Sequence, residues 1–223
     1  MALALGRFHE ISLSTQSLEE SLDFYRTLGF QRVEIETVWP HPYAVLRHGP
    51  LWLGLHEYRF PSPSITCVRE DLIEALEAFR DSGAVIAFAK TGPDCFNEFG
   101  LRDPAGHMIT LLERPTHQLS SEASHATEHG SLGDPLAFSL PSAACEISSG
   151  FWQAIGAQPH DQSIEGIPAL LHDAAGLPLA IHDETWFPSP ALLFQRTGLQ
   201  EKMVLESPEG LALIVLPSEN QRG

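Results

Sequence analysis

Residues 17–30 read SLEESLDFYRTLGF, and this stretch predicts a helix with both ends marked. The hydroxyl of Ser17 can accept a hydrogen bond from an exposed backbone amide, and the side chain of Glu20 can reach back to the start of the helix. Leucines at helical spacing form one apolar stripe with Tyr25. Gly29 can adopt the left-handed conformation that ends a helix. We therefore expect an amphipathic helix with one side buried in a core.

The end of this helix has a counterpart in the second half of the chain. The sequence FYRTLG at 24–29 returns 127 positions later as FWQAIG at 151–156. The tetrapeptide FPSP likewise occurs at 60–63 and at 187–190. A period this long is typical of a duplicated domain, because short solenoid repeats have periods of roughly 20–50 residues.

Each copy begins with a strand that leads into a helix. Residues 8–15 alternate apolar and polar side chains, as a half-buried strand does. After the first FPSP the pattern restarts, with a strand at 65–68, a helix over 71–82 and a last strand over 107–113. The first copy therefore contains two strand–helix–three-strand modules.

These modules divide the chain into two domains. We predict a first domain over residues 1–115, a linker rich in Ser, His, Glu and Gly over 116–134, and a second domain over 135–223. The second domain is shorter, because the interval 191–207 spans 16 positions where its counterpart 64–103 spans 39. The fourth module is therefore predicted to lack its helix.

Composition excludes several classes of partner. The formal net charge of −16 leaves no basic surface for nucleic acid or an anionic membrane. No apolar run reaches the ~18 residues of a membrane span. The three cysteines have no paired spacing, which argues against a disulfide framework or a zinc knuckle. We expect a cytoplasmic protein whose partner is a small organic molecule.

Three motifs of the first domain resemble the vicinal oxygen chelate superfamily, which includes glyoxalase I, bleomycin-resistance proteins, fosfomycin-resistance enzymes and extradiol dioxygenases. They are SLEESLDFY at 17–25, LGF at 28–30 and DPAGH at 103–107. The resemblance implies an α+β fold in which tandem βαβββ modules form two cupped mixed sheets, with the ligand held in the cup. It is specific for the fold and not for an activity, because members include lyases, isomerases, dioxygenases and binders without metal.

The resemblance also implies where a metal would be bound. Metal-dependent members carry ligands at four positions facing the cup, on the first and last strands of two modules. These positions hold Glu10, Gly54, Ser64 and Thr110 in the first domain, and Ala137, Ala180, Ala191 and Ile214 in the second. Members pair module one with module two or with module four, and neither pairing collects more than one strong ligand. We therefore predict no metal at the inherited positions.

Strand alternation predicts which side chains share the concave face of the first domain, with His9 pointing instead to the helix layer. The predicted set is Glu10, Ser12, Trp52, His56, Thr66, Met108 and Thr110. Glu10 and His56 are the candidate catalytic residues, as acid or base, and the others are candidate ligand contacts. His56 has a second interpretation as a strand-end residue held by local hydrogen bonds, because His182 occupies the same position in the second copy.

Two further segments receive structural interpretations. Residues 39–43 read WPHPY, a stiff aromatic loop that could gate the cup but is expected to pack against it. His117, His125 and His129 lie in the predicted linker. They are expected to be exposed to solvent and not to form a metal-binding tract.

Three hypotheses for function remain. In the first, the protein binds a small oxygenated organic molecule in the first cup without the inherited metal, and either sequesters it or transforms it by acid–base chemistry. In the alternative, the protein is a divalent-metal-dependent lyase or dioxygenase with a displaced site at Glu10 and His56, and His9 or the substrate supplies a third donor. In the third, the second domain is mainly a partner surface, and the chain is a monomer through internal module pairing or a homodimer.

Overall fold

The computed structural model describes residues 3–36, 38–117, 131–160, 163–164 and 166–218. Within them, the first half of the chain forms one mixed sheet and two helices. The strands are β1 (Arg7–Ser14), β2 (Gln31–Val33), β3 (Tyr43–His48), β4 (Leu51–His56), β5 (Ser64–Val68), β6 (Val85–Lys90), β7 (Glu98–Arg102) and β8 (Met108–Leu112), and the helices are α1 (Leu18–Thr27) and α2 (Leu72–Asp81). Helix α1 begins as predicted, with the Ser17 hydroxyl accepting a hydrogen bond from the amide of Glu20.

The second half repeats this arrangement with fewer elements. Its strands are β9 (Asp134–Ser142), β10 (Gln158–His160), β11 (Ala169–Ala174), β12 (Leu177–Asp183), β13 (Ala191–Thr197), β14 (Met203–Glu206) and β15 (Ala212–Ser218), and its helix is α3 (Cys145–Ala154). The α+β fold of two cupped mixed sheets is confirmed. The boundaries of the two domains and the linker stay a prediction, because residues 118–130, including His125 and His129, lie outside the described residues.

Sheet topology settles how the modules pair. The first sheet has the order β2-β3-β4-β1-β5-β8-β7-β6, and the second has the order β10-β11-β12-β9-β13-β15-β14. Strand β1 pairs antiparallel with β5, and β9 pairs antiparallel with β13. Module one is therefore paired with module two, and module three with module four.

The fourth module is reduced, as the sequence predicts. Strand β13 is followed directly by β14, and residues 198–202 between them contain no helix. A counterpart of β6 is missing as well, which is why the second sheet has seven strands and the first has eight. The shorter interval in the sequence therefore removes one strand in addition to the expected helix.

One continuous apolar core joins the two sheets. Side chains of β1 and β4 share it with side chains of β9, β12 and the three helices. Several hydrogen bonds connect the halves. In two of them the Trp152 indole donates to Asp103 Oδ2 at 3.2 Å, and the Tyr25 hydroxyl donates to Glu209 Oε2 at 3.2 Å. Tyr25 and Trp152 are equivalent positions of the repeat. Each first helix is therefore bonded to the last turn of the other half.

The concave face of the second sheet is filled by apolar side chains. The four inherited positions, Ala137, Ala180, Ala191 and Ile214, belong to one buried cluster, against which Trp186 and Phe187 pack. Burial of such a cluster stabilises the fold, and none of these four side chains can bind a metal. Among the described residues, no helix has the length and apolar content that a membrane crossing would need.

Candidate ligand-binding site

A cavity of about 550 Å³ opens over the concave face of the first sheet. Its floor is polar and contains Glu10, Ser12, His56, Thr66 and Thr110. Its walls are mostly aromatic and apolar, from Trp39, Tyr58, Phe60, Phe88, Met108 and Leu112, and Arg59, Glu98 and Arg102 also line it. This size and composition are typical of a pocket for a small organic ligand.

The carboxylate of Glu10 is the most constrained group on the floor. It is 2% exposed, and its Oε1 accepts a hydrogen bond from the Ser12 hydroxyl at 2.8 Å and lies 3.3 Å from Nε2 of His56. Its Oε2 accepts a hydrogen bond from the Tyr43 hydroxyl at 2.5 Å. Burial opposes ionisation of this carboxyl group. The hydrogen bond with His56 and the attraction of the nearby imidazoles nevertheless lower the pKa of Glu10 to about 2.

The Glu10 carboxylate can lie flat on the sheet because Gly54 has no side chain. A Cβ atom at this position would lie 2.0 Å from Glu10 Oε1. Strand β1 runs parallel to β4, with Ser12 next to Gly54, so the missing side chain leaves room beside the acid. The inherited ligand position on β4 is therefore occupied by the side chain of Glu10.

The other inherited positions do not fit a metal either. The hydroxyls of Ser64 and Thr110 are hydrogen-bonded to each other at 2.8 Å. Neutral hydroxyls are weak ligands for a divalent transition metal compared with imidazole or carboxylate. The quartet of Glu10, Gly54, Ser64 and Thr110 offers one strong donor, and that donor already accepts hydrogen bonds on both oxygens.

A β-bulge changes the orientation of His9. In the pairing of β1 with β5, Phe8 lies opposite Cys67 and Glu10 opposite Thr66, so His9 is an extra residue without a partner. The bulge interrupts the strict alternation of side chains along β1. As a result, neither His9 nor Glu10 faces the core side of the strand. The prediction that His9 points to the helix layer is therefore wrong. Its Nε2 lies 2.8 Å from Thr116 Oγ1, and burial lowers the pKa of His9 to about 4.

His117 is also buried, so the prediction that it is exposed to solvent is wrong. Its ring stacks on His9, with 3.9 Å between centroids, and on Trp52, with 5.3 Å. Its Nδ1 lies 3.3 Å from the Tyr43 hydroxyl and 3.5 Å from Glu10 Oε2. Burial lowers the pKa of His117. One donor atom from each of His9, Glu10 and His117 lies within 4.8 Å of the others, and His56 is not part of this group.

The two histidines that end equivalent strands have different environments. His56 contacts Glu10 through Nε2, and its Nδ1 lies 3.0 Å from Nε2 of His41. Burial and the charge of His56 lower the pKa of His41. His182, in contrast, packs edge-on against Trp186, and its Nδ1 lies 3.0 Å from the backbone oxygen of Asp183, whereas its Nε2 has no hydrogen-bond partner among the described residues. The interpretation of a strand-end histidine held by local hydrogen bonds therefore fits His182 and does not fit His56.

The WPHPY loop contributes directly to the cavity. Trp39 and His41 line it, and Tyr43 holds the acid on its floor. The prediction of a packing loop is therefore incomplete. Of the predicted ligand contacts, Ser12, Thr66, Met108 and Thr110 line the cavity, whereas Trp52 lies beneath it against His117 and Tyr43.

Comparison with known proteins agrees with this architecture. Residues 7–111 match the model of the glyoxalase/bleomycin resistance protein/dioxygenase superfamily. This match confirms the resemblance of the first half of the chain to vicinal oxygen chelate proteins. A search of curated proteins finds no match.

Among solved structures, the chain is similar to extradiol dioxygenases. Homoprotocatechuate 2,3-dioxygenase from Brevibacterium fuscum, in a mutant form, superposes with a TM-score of 0.64 at 14% identity, over 96% of this chain and 72% of that one. A catechol 2,3-dioxygenase superposes with a TM-score of 0.55 at 12% identity, over 96% of this chain and 88% of that one. At these identities the likeness concerns the fold.

Proposed function

We propose that the protein binds a small hydroxyl-bearing aromatic molecule in the cup of the first domain, without a metal at the inherited positions. The observation that carries this proposal is the Glu10 carboxylate on the floor of the cavity, with Oε1 on the side of Ser12 and His56. An ionised carboxylate is a strong acceptor for a ligand hydroxyl, and the aromatic walls suit a flat ring.

Acid–base chemistry at the same site is the catalytic form of this proposal. His56 lies between Glu10 and His41, so a proton that the carboxylate takes from a ligand hydroxyl can pass through His56 to His41, which also lines the cavity. The metal-dependent alternative with Glu10 and His56 as ligands receives less support, because both nitrogens of His56 are already engaged. The second domain, with its apolar concave face, serves in this proposal to pack the first.

Catechol is the probe that tests the proposal, and 1,2-dimethoxybenzene is its matched control without hydroxyl donors. In the presence of a chelator, we expect catechol to bind and to quench tryptophan fluorescence, because Trp39 lines the cavity. Glu10→Gln keeps the shape of the acid and removes its charge. This substitution should weaken catechol binding by about 10–100-fold, because that change in affinity corresponds to the free energy of a hydrogen bond to a charged acceptor.

The control ligand decides between specific recognition and general apolar binding. If 1,2-dimethoxybenzene binds as tightly as catechol, or if Glu10→Gln leaves the affinity for catechol unchanged, the carboxylate is not the recognition group and the proposal is wrong. Circular dichroism of the variant confirms that it is folded.

A further inference from the structure

One row of residues crosses the first sheet from the acid on the floor of the cavity to the outermost strand. Glu10 on β1 lies opposite Thr66 on β5, and Thr66 lies next to Thr110 on β8. The row continues with Gly100 on β7 and ends with Phe88 on β6. Neighbouring strands are about 4.8 Å apart, so about 14 Å of sheet separates the acid from the glycine. Only small residues therefore lie between the acid and the phenyl ring.

The two ends of this row differ in chemistry. A Cβ atom on Gly100 would overlap Cε1 of Phe88 and Cε of Met108, so both of these apolar side chains lie over the glycine. At the other end, the carboxylate of Glu10 lies over Gly54, away from the row. The space above the two threonines is therefore left open between a carboxylate at one end and an apolar surface at the other.

The walls of the same cavity present exposed aromatic surface. Among the Phe, Tyr and Trp side chains of the described residues, Tyr58 and Phe88 are the two that are exposed, at 59% and 37%. Both line the cavity. Tyr58 follows β4 of module one and stacks on His41 with 4.9 Å between ring centroids, whereas Phe88 belongs to module two. Exposed apolar surface of this kind is typical of a ligand-binding groove, because a ligand that covers it removes it from water.

The equivalent row of the second sheet is filled. Ala137 on β9 lies opposite Leu193 on β13, which is followed by Ile214 on β15 and Val204 on β14. Branched apolar residues therefore stand where the first sheet has two threonines and a glycine. The strand that would carry a counterpart of Phe88 is missing from the second sheet. The open row and its aromatic end thus occur together with the acid, in the same half of the chain.

We propose that the ligand of the first cup is a phenol with two fused or linked rings. The ring that bears the hydroxyl lies toward Glu10, and the second, apolar ring lies above the threonines against Phe88. A single ring held at the carboxylate is too short to reach the phenyl ring across this row. The cavity of about 550 Å³ is in the range of sites that enclose ligands larger than one ring. This inference rests on the proposed function, because the acid determines which end of the ligand carries the hydroxyl.

Calorimetric titration of the full chain with two matched probes tests this assignment. The probes are 2,3-dihydroxynaphthalene and catechol, which carry the same pair of hydroxyls on two rings and on one ring. With a chelator present, we expect the two-ring probe to bind about 10-fold more tightly or better, because its second ring leaves water. Phe88→Ala should reduce this ratio of affinities to about threefold or less, since the second ring loses its apolar wall.

Val85→Ala is the matched control, because Val85 lies on the same strand, is 64% exposed and is not part of the cavity lining. This variant should keep the wild-type ratio of affinities. Equal affinities of the wild-type protein for the two probes would overturn the two-ring assignment, and so would a ratio that Phe88→Ala leaves unchanged. Either result leaves the proposed function standing as long as catechol binds and Glu10→Gln weakens it. Absence of binding by both probes would overturn the proposed function together with this inference.

Discussion

Replacing Gly54 with alanine is expected to lower the free energy of unfolding by about 3 kcal/mol, a large effect for one added methyl group. The new Cβ would lie 2.0 Å from Glu10 Oε1, so the buried carboxylate has to leave its position. It then loses the hydrogen bonds from Ser12 and Tyr43. Disrupting a buried, hydrogen-bonded charge costs about 3–5 kcal/mol when no new partner is available.

A double-mutant cycle in urea unfolding isolates this clash. In the Glu10→Ala background the added methyl group meets no carboxylate, so Gly54→Ala should change the stability by less than about 0.5 kcal/mol there. The coupling energy between the two positions is then about 3 kcal/mol. Equal effects of Gly54→Ala in both backgrounds would show that the acid does not occupy the space over residue 54.

Gly150 supplies a control glycine in the same chain. It lies in α3, and a Cβ atom there would meet nothing within 4 Å. Gly150→Ala should therefore stabilise the protein by about 0.5–1 kcal/mol, because alanine is the better helix former. Opposite signs for the two Gly→Ala changes would separate the local clash from a general effect of adding a methyl group.

Local chemistry explains why the fold could be predicted from the sequence. The stretch at 17–30 contains the start, the apolar side and the end of one helix, and its repetition at 151–156 indicates a duplication. The loss of the helix in the fourth module follows from an interval that is too short to contain it. Module pairing was not predictable in this way, because it depends on contacts between strands far apart in the chain.

The candidate site was predictable only where strands alternate regularly. Strand alternation correctly predicts the cavity-lining positions of Glu10, Ser12, His56 and Thr66. It fails at His9, because nothing in the sequence of β1 marks the bulge that turns this side chain.

The remaining side chains of the site required long-range information. His117 is 107 positions from Glu10, and its segment has the composition of a linker, so its burial depends on tertiary packing that composition does not encode. Tyr43 could have been found from the strand pairing, because it lies opposite His56 between β3 and β4. The WPHPY motif conceals this, because its prolines indicate a loop that only ends at the tyrosine.

Trp152→Ala is expected to lower the free energy of unfolding by about 4 kcal/mol, the usual range for removing a buried aromatic side chain. The indole is fully buried in the core that both sheets share. Its N–H also donates to Asp103 Oδ2, an acceptor that is itself buried at the last turn of the first half. The substitution therefore removes packing and leaves a buried carboxylate oxygen without this donor.

Urea unfolding, followed by circular dichroism and by the fluorescence of the remaining tryptophans, measures this effect and tests whether the two halves unfold together. We expect one transition, shifted as a whole, because the two halves share one core and the Trp152–Asp103 contact is matched by Tyr25–Glu209. Phe151→Ala is the control, since its side chain is only partly buried, and it should cost less than half as much. Two separate transitions, with only one shifted by Trp152→Ala, would show that the halves unfold independently and that the shared core does not couple them.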